Sequence, residues 1–287
     1  MAFEISEITV NKQNNEKYEA LFDDLIQEVF GFSFAPWLEH KLWDEHYESY
    51  SIIRDGRMLA NTCVYKTDMI VKGQRFPAIQ MGAVCTRESE RGKGLSRLLT
   101  EHILSLYKET PAYLFANESV LDFYPRFGFK QIQIHRPVLA ASINNDPTKA
   151  VKYEADSKTV VKAINNRKAF SNTLDCLNTG SIQMFHLLMG YPDDIYSLPE
   201  NDVIVIAQQS DTGLYIADVI ARKPVAFEKL KNELPFNGVE VIEFGFCPDW
   251  LDVSPVWEPV DMNDFPVFVR GEWSLPEKFC FPATSET

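Results

Sequence analysis

Between Phe76 and Phe129 the apolar positions change period twice, and the rest of the chain is arranged around that change. Phe76-Pro77-Ala78-Ile79-Gln80-Met81-Gly82-Ala83-Val84-Cys85-Thr86 is an apolar run bounded by turn-forming residues, the pattern of a buried strand. After Arg91-Gly92-Lys93-Gly94-Leu95-Ser96 the spacing becomes helical. Leu95, Leu98, Leu99, Ile103 and Leu106 fall on one face, with Arg97, Thr100 and Glu101 on the other. Ala112 to Asn117 then predicts a second short strand, and Leu121 to Phe129 a tight, aromatic turn.

Upstream, Ala2 to Val10 alternates loosely and suits a first strand, and Glu16 to Phe30 has helical periodicity ending at a capping Gly31. Phe32 to Tyr50 is dense in aromatic residues: Phe32, Phe34, Trp37, Trp43, Tyr47 and Tyr50. It has two readings, a wall for an acceptor substrate or helical core. Tyr50 to Arg54 and Met58 to Tyr65 flank Asp55-Gly56, a hairpin signal, and strand pattern continues to Val71 before Lys72-Gly73-Gln74 turns the chain.

Downstream, Lys130 to Val138 extends the first sheet, and Ala140 to Thr148 reads as a linker. This divides the chain into units 1–145 and 146–287. In the second, Val160 to Leu174 is helical in pattern, a helix closes at Gly190, and Val203 to Gln208 pairs with Gly213 to Arg222. Strand, loop, helix, strand then recurs: Leu214 to Ile220, Ala221-Arg222-Lys223-Pro224, Val225 to Leu234, Val239 to Phe246. Asp249 to Thr287, with Trp250, Trp257, Trp273 and several prolines, is an irregular tail with a few strands.

Composition narrows the classes. The chain has 287 residues, 45% of them hydrophobic, enough for one large or two ordinary cores. No apolar run is long enough to span a membrane, and no secretory signal pattern opens the chain. Cys63, Cys85, Cys176, Cys247 and Cys280 are scattered without metal-type spacing, which fits packing roles in a reduced cytoplasm and no metal site. A net charge of −13 disfavours nucleic acid, and either serves solubility or concentrates a cationic amine. Self-association is left open.

The chemistry-bearing stretch is Arg91 to Ser96. Two glycines allow close backbone approach, Arg91 and Lys93 add positive charge, and the following helix N-terminus offers unpartnered amides: together an anion cradle suited to a pyrophosphate. Neither G-x-x-x-x-G-K-[ST] nor G-x-G-x-x-G is present, which removes the main support for nucleotide hydrolysis or nicotinamide binding.

The order strand, Arg91-x-x-Gly94-x-Ser96, amphipathic helix resembles the acetyl-coenzyme A loop of the GNAT acyltransferases, with Ser96 where that family usually has Gly or Ala. Phe123-Tyr124-x-x-x-Gly128-Phe129 is similar to the family's second signature. The long hairpin ahead of the loop strand brings the resemblance closest to the enhanced-intracellular-survival type. The resemblance implies an α+β fold of two GNAT-like domains in tandem, the second degenerate, since its loop has no glycine and Pro224 lacks an amide. It implies an N-acetyltransferase that uses acetyl-coenzyme A as cosubstrate and a small-molecule amine as acceptor, by direct attack in a ternary complex. Val84, Cys85 and Thr86 then offer backbone N–H groups to the thioester carbonyl and pantetheine arm. Arg91, Gly92, Lys93, Gly94, Leu95 and Ser96 hold the pyrophosphate, and Tyr124 protonates the leaving thiolate.

Asn117 has two readings, a bond to the pantetheine amide or a cap for a helix around Val120. Glu88 and Glu90 orient Arg91 or face water. The general base is open among His40, His46, Glu39, Glu45 and water. The sequence also leaves open whether Thr287 reaches the first unit's site, as a C-terminal carboxylate does in that type, and whether the chain is instead a non-catalytic acyl-coenzyme A sensor or scaffold.

Overall fold

The computed structural model describes residues 3–200 and 202–287, which form two sheets. The first opens with β1 (Ile8–Asn11). Ahead of it, Ile5–Glu7 is a 3-10 turn where alternation suggested strand, because the Glu7 carboxylate accepts from the Glu4 N–H at 2.9 Å and closes the turn. Ala2, the start of that expected strand, lies outside the described residues. In α1 (Glu16–Phe30) the Asn15 side chain caps the Tyr18 N–H, and Gly31 ends the helix at φ 78°, in the left-handed region. Its inner face buries Tyr18, Phe22, Leu25 and Ile26.

The five-residue α2 (Ala35–Glu39) leads to β2 (Tyr47–Arg54) and β3 (Arg57–Val71), joined at Asp55 and Gly56, both with positive φ as a two-residue hairpin requires. β4 (Gln74–Thr86), α3 (Leu95–Leu106) and β5 (Ala112–Phe115) follow, and Leu95, Leu99, Ile103 and Leu104 of α3 pack onto the sheet. β6 (Lys130–Ile132) ends the run.

Lys130 to Val138 is therefore not one strand. The backbone leaves the first sheet at Gln133, whose amide donates to the Ile134 and Val260 carbonyls, and β7 (His135–Ile143) joins the second sheet. Ala140 to Ile143, part of the expected linker, pair with a later strand because Leu139, Ala141 and Ile143 bury in the second core. After β8 (Val151–Lys152), α4 (Lys158–Asn165) stops short of the helix predicted to Leu174. Arg167 turns inward to Asp175, and Leu174 opens β9 (Leu174–Leu177).

The rest of the second sheet comes from β10 (Ile195–Leu198), β11 (Val203–Gln209), β12 (Gly213–Ala221), β13 (Val239–Phe244) and β14 (Val256–Pro259). α5 (Gly180–Met189) precedes β10, and α6 (Phe227–Glu233) links β12 to β13; β15 (Val267–Arg270) comes last.

The first sheet runs β1-β2-β3-β4-β5-β15-β6 with β9 on β3; the second runs β14-β7-β13-β12-β11-β10-β8. β9 takes over the β3 edge at Asp68–Val71, past the reach of β2, and β15 sits between β5 and β6. A division at 145/146 thus leaves two strands of the first sheet in the second half of the chain. Each half repeats one unit: β4 and β5 are parallel across α3, and β12 and β13 are parallel across α6. All five cysteines are buried and unpaired, and no helix among the described residues is long and apolar enough to cross a membrane.

Candidate active site

The site exists because two parallel strands stop pairing. β4 and β5 are bonded only at Ile79↔Ala112 and Gln80↔Tyr113; beyond Gln80 they splay. On its other edge β4 carries a bulge. Asn61 pairs with Cys85 and Cys63 with Gly82, so Ala83 and Val84 face Thr62 alone, and Ala83 takes φ 45°. Such a bulge turns backbone groups out of the ladder, and a non-glycine residue held at positive φ marks a place where local strain is tolerated. The opening is a cavity of 1040 Å³ whose lining runs from Met81 to Thr86 on β4 to Phe115 and Asn117 past β5.

At one end stands the loop Arg91 to Ser96. Gly92 and Gly94 sit at φ 78° and 84°, and a Cβ built at either would meet nothing within 4 Å. Gly94 is also the N-cap residue of α3, so unpartnered amides and the positive end of the helix dipole face the same space. Arg91, Gly92, Gly94, Leu95 and Ser96 line the cavity, with Arg97 and Arg126 beside them. Lys93 does not line it; its ammonium pairs with Glu90 at 2.9 Å. The Ser96 hydroxyl bonds Thr86 Oγ1 at 2.7 Å and ties the end of β4 to the start of α3. Behind the loop the buried Arg87 guanidinium bonds the Met58 carbonyl and the carboxylates of Asp24 and Glu28, anchoring the loop to α1.

Opposite the loop, Tyr124 lines the cavity at 5% exposure, packed against Phe123, Phe129 and Phe268. Burial pushes its phenol up to about 12, which keeps it protonated as a donor. Asn117 has the capping role among the two readings given to it, accepting from the Ser119 N–H at 2.9 Å, and it also lines the cavity. Cys85 also lines it, but burial holds its thiol far above the ordinary range, against a nucleophile. His40, His46, Glu39 and Glu45 do not line the cavity. His46 instead lies against the Tyr65 ring.

The other end is aromatic. Trp37, Trp43 and Tyr50 of the aromatic stretch are core, Phe32 lines the cavity, and Phe34 and Tyr47 do both. No sequence signal pointed to Ile182 and Phe185, on α5 more than 130 residues on, which complete this wall; Phe185 stacks on Phe34 at 4.7 Å. α5 is docked there by Trp37 Nε1 to the Ser181 carbonyl at 2.9 Å and Ser181 Oγ to the Leu42 carbonyl at 2.6 Å.

Thr287 reaches the cavity as well. The segment before it is held at the seam: Thr284 bonds Asp218, Gln80 donates to the Ser285 carbonyl, and His186 bonds the Glu286 carbonyl. Burial pushes the Glu286 carboxyl up to about 8 and the His186 imidazole down. Thr287 donates its N–H to Gln80 Oε1 and packs on Gly82, where an added Cβ would stand 2.6 Å from Thr287 Cβ. Gly82→Val is therefore expected to displace this segment. Overpacking of about 1–3 kcal/mol would make the Thr287 amide exchange about tenfold to a hundredfold faster by hydrogen exchange. An unchanged rate would separate Gly82 from the segment.

These features coincide with a known domain. The acetyltransferase (GNAT) domain model matches residues 9–132. The chain carries a GNAT acetyltransferase domain. The matched residues hold the bulged β4, the glycine cradle and Tyr124. Three solved structures share the wider fold. A probable N-acyltransferase from Enterococcus faecalis V583 superposes with TM-score 0.58 at 16% identity, covering 92% of this chain and 72% of that one. Eis1 from Mycobacterium abscessus gives 0.56 at 16%, covering 91% and 73%. A GCN5-related N-acetyltransferase from Kribbella flavida gives 0.54 at 13%, covering 93% and 72%. Identities this low establish fold, and the shared fold spans both sheets as in a tandem GNAT arrangement. No curated protein matches.

Proposed function

We propose that this GNAT domain transfers an acetyl group from acetyl-coenzyme A to the primary amine of a small molecule, by direct attack in a ternary complex. The observation that carries the reading is the splay of β4 and β5. One opening joins the bulged backbone of Ala83 to Thr86, the Gly92/Gly94 cradle and the Tyr124 phenol. The cradle residues hold the pyrophosphate, and the turned-out amides near Val84, Cys85 and Thr86 hold the pantetheine arm and polarise the thioester carbonyl.

The amine nitrogen bonds the carbonyl carbon, the C–S bond breaks, and Tyr124 donates its proton to the departing thiolate. No side-chain carboxylate or imidazole lines the aromatic end among the described residues; water takes one proton from the ammonium to free the lone pair before attack and a second from the nitrogen once the new bond has formed. The acceptor is protonated and cationic in solution, and the charge of −13 raises its local concentration. The decisive experiment is release of free thiol from acetyl-coenzyme A in the presence of single amines. Amine-dependent release supports the enzyme; tight coenzyme A binding with no release for any amine supports the acyl-coenzyme A sensor.

We also assign cofactor binding to the first unit alone. The corresponding loop of the second, between β12 and α6, has no glycine and carries Pro224. Calorimetric titration is expected to give one coenzyme A per chain. A value near two would show that the second loop binds.

A further inference from the structure

The aromatic end of the cavity has a chemistry of its own. Phe30, Phe32, Phe34 and Phe185 form a continuous ring chain, with centroid separations of 6.2, 5.5 and 4.7 Å along it, and Ile26, Val29 and Ile182 extend it. Phe34, Ile26 and Ile182 share one packed cluster with Ala83 and Cys85, so this wall abuts the bulge where the acyl group is handed over. Phe30 and Phe32 are 46% and 39% exposed, large apolar surfaces left open at the rim.

Every ionised side chain lining the cavity, Glu90, Arg91, Arg97, Glu101 and Arg126, belongs to the phosphate loop, α3 or the turn after Tyr124. The nearest carboxylates of α1 are engaged elsewhere. Asp23 accepts from Ser33 and from the Phe34 N–H, and Asp24 and Glu28 hold Arg87.

We infer that the acceptor is a monoamine with an apolar body, an alkylamine or arylalkylamine, whose hydrocarbon lies on the Phe30–Phe32–Phe34–Phe185 wall while its amine points to Ala83. This rests on the acetyltransfer reading above and adds the substrate class to it. A single ammonium can face an aromatic ring. The further charges of a polyamine or aminoglycoside would lose water against Ile26, Val29 and Ile182, a stretch of the lining that holds no carboxylate side chain, and burying an unpaired charge is strongly unfavourable. Hydrocarbon gains where those charges lose, at about 0.8 kcal/mol per buried methylene, or about fourfold in equilibrium. The volume also suits two guests. At 1040 Å³ the cavity lies just above the roughly 300–1,000 Å³ of single-ligand pockets, leaving room for an acceptor beside a pantetheine arm.

The test is a series of propylamine, butylamine, hexylamine and 2-phenylethylamine against spermidine and an aminoglycoside, each scored by kcat/KM in thiol release. Efficiency is expected to rise about fourfold per methylene while the chain remains on the wall. The two polycations are expected to fall at least tenfold below hexylamine. A flat alkyl series, or a polycation ahead of hexylamine, overturns the inference and leaves acetyltransfer standing. No release with any amine overturns both.

Phe32→Glu supplies a second readout at a rim position. Hexylamine efficiency should fall at least tenfold and spermidine efficiency rise, with coenzyme A affinity unchanged as the check on folding. Should that variant not fold, Phe32→Ala should lower hexylamine efficiency alone. Unaltered selectivity in the folded variant counts against the wall as the acceptor site.

Discussion

Gly94→Glu is expected to abolish coenzyme A binding while the protein stays folded. Gly94 is exposed, has φ 84° and caps α3, and the space its Cβ would enter is open to the cavity. A glutamate there fills the cradle and places a negative charge at the helix N-terminus, where the diphosphate's own charge must sit. The stability loss should be limited to what a non-glycine residue loses in the left-handed region, about 1–2 kcal/mol. Calorimetry should detect no binding, and thermal unfolding should stay cooperative with Tm lowered by a few degrees. Unchanged affinity would remove the cradle from the site.

Tyr124→Phe should lower kcat by about tenfold to a thousandfold with little change in KM for acetyl-coenzyme A. The phenyl ring keeps the contacts with Phe123, Phe129 and Phe268, and the hydroxyl it loses makes no hydrogen bond among the described residues. No buried partner is orphaned by its removal, so stability should hold. A phenol raised to about 12 is fully protonated throughout the neutral range, and the difference between the two proteins should therefore not vary between pH 6 and 9. Wild-type turnover in the variant would mean that the thiolate leaves unassisted.

The glycine loop and the helix after it were legible because their signals are local. Gly92, Gly94 and the apolar face from Leu95 to Leu106 lie within a few turns of one another, and positive φ and helical periodicity are properties of short segments. α1 was legible for the same reason, with Asn15 and Gly31 as its caps. The tail of the predicted helix beyond Asn165 misled because Arg167 and Leu174 fit helical spacing. Their positions are set by partners distant in sequence, Asp218 for Arg167 and β3 for Leu174.

By itself the sequence determined the repeated strand, loop, helix, strand unit, the glycine cradle in the first copy and its absence in the second, and the place of Tyr124 after the second strand. Backbone geometry and periodicity within one element decide these. Only the tertiary structure decided where β4 and β5 part, which strands from the second half complete the first sheet, and what lines the acceptor end. Phe185 meets Phe34, and Thr287 meets Gly82, across about 150 and 200 residues respectively. Neither contact leaves a local trace, because an apolar side chain on α5 and a threonine at position 287 have the same spacing and hydropathy whatever they touch. What selects them is the burial available once the two sheets have closed on each other.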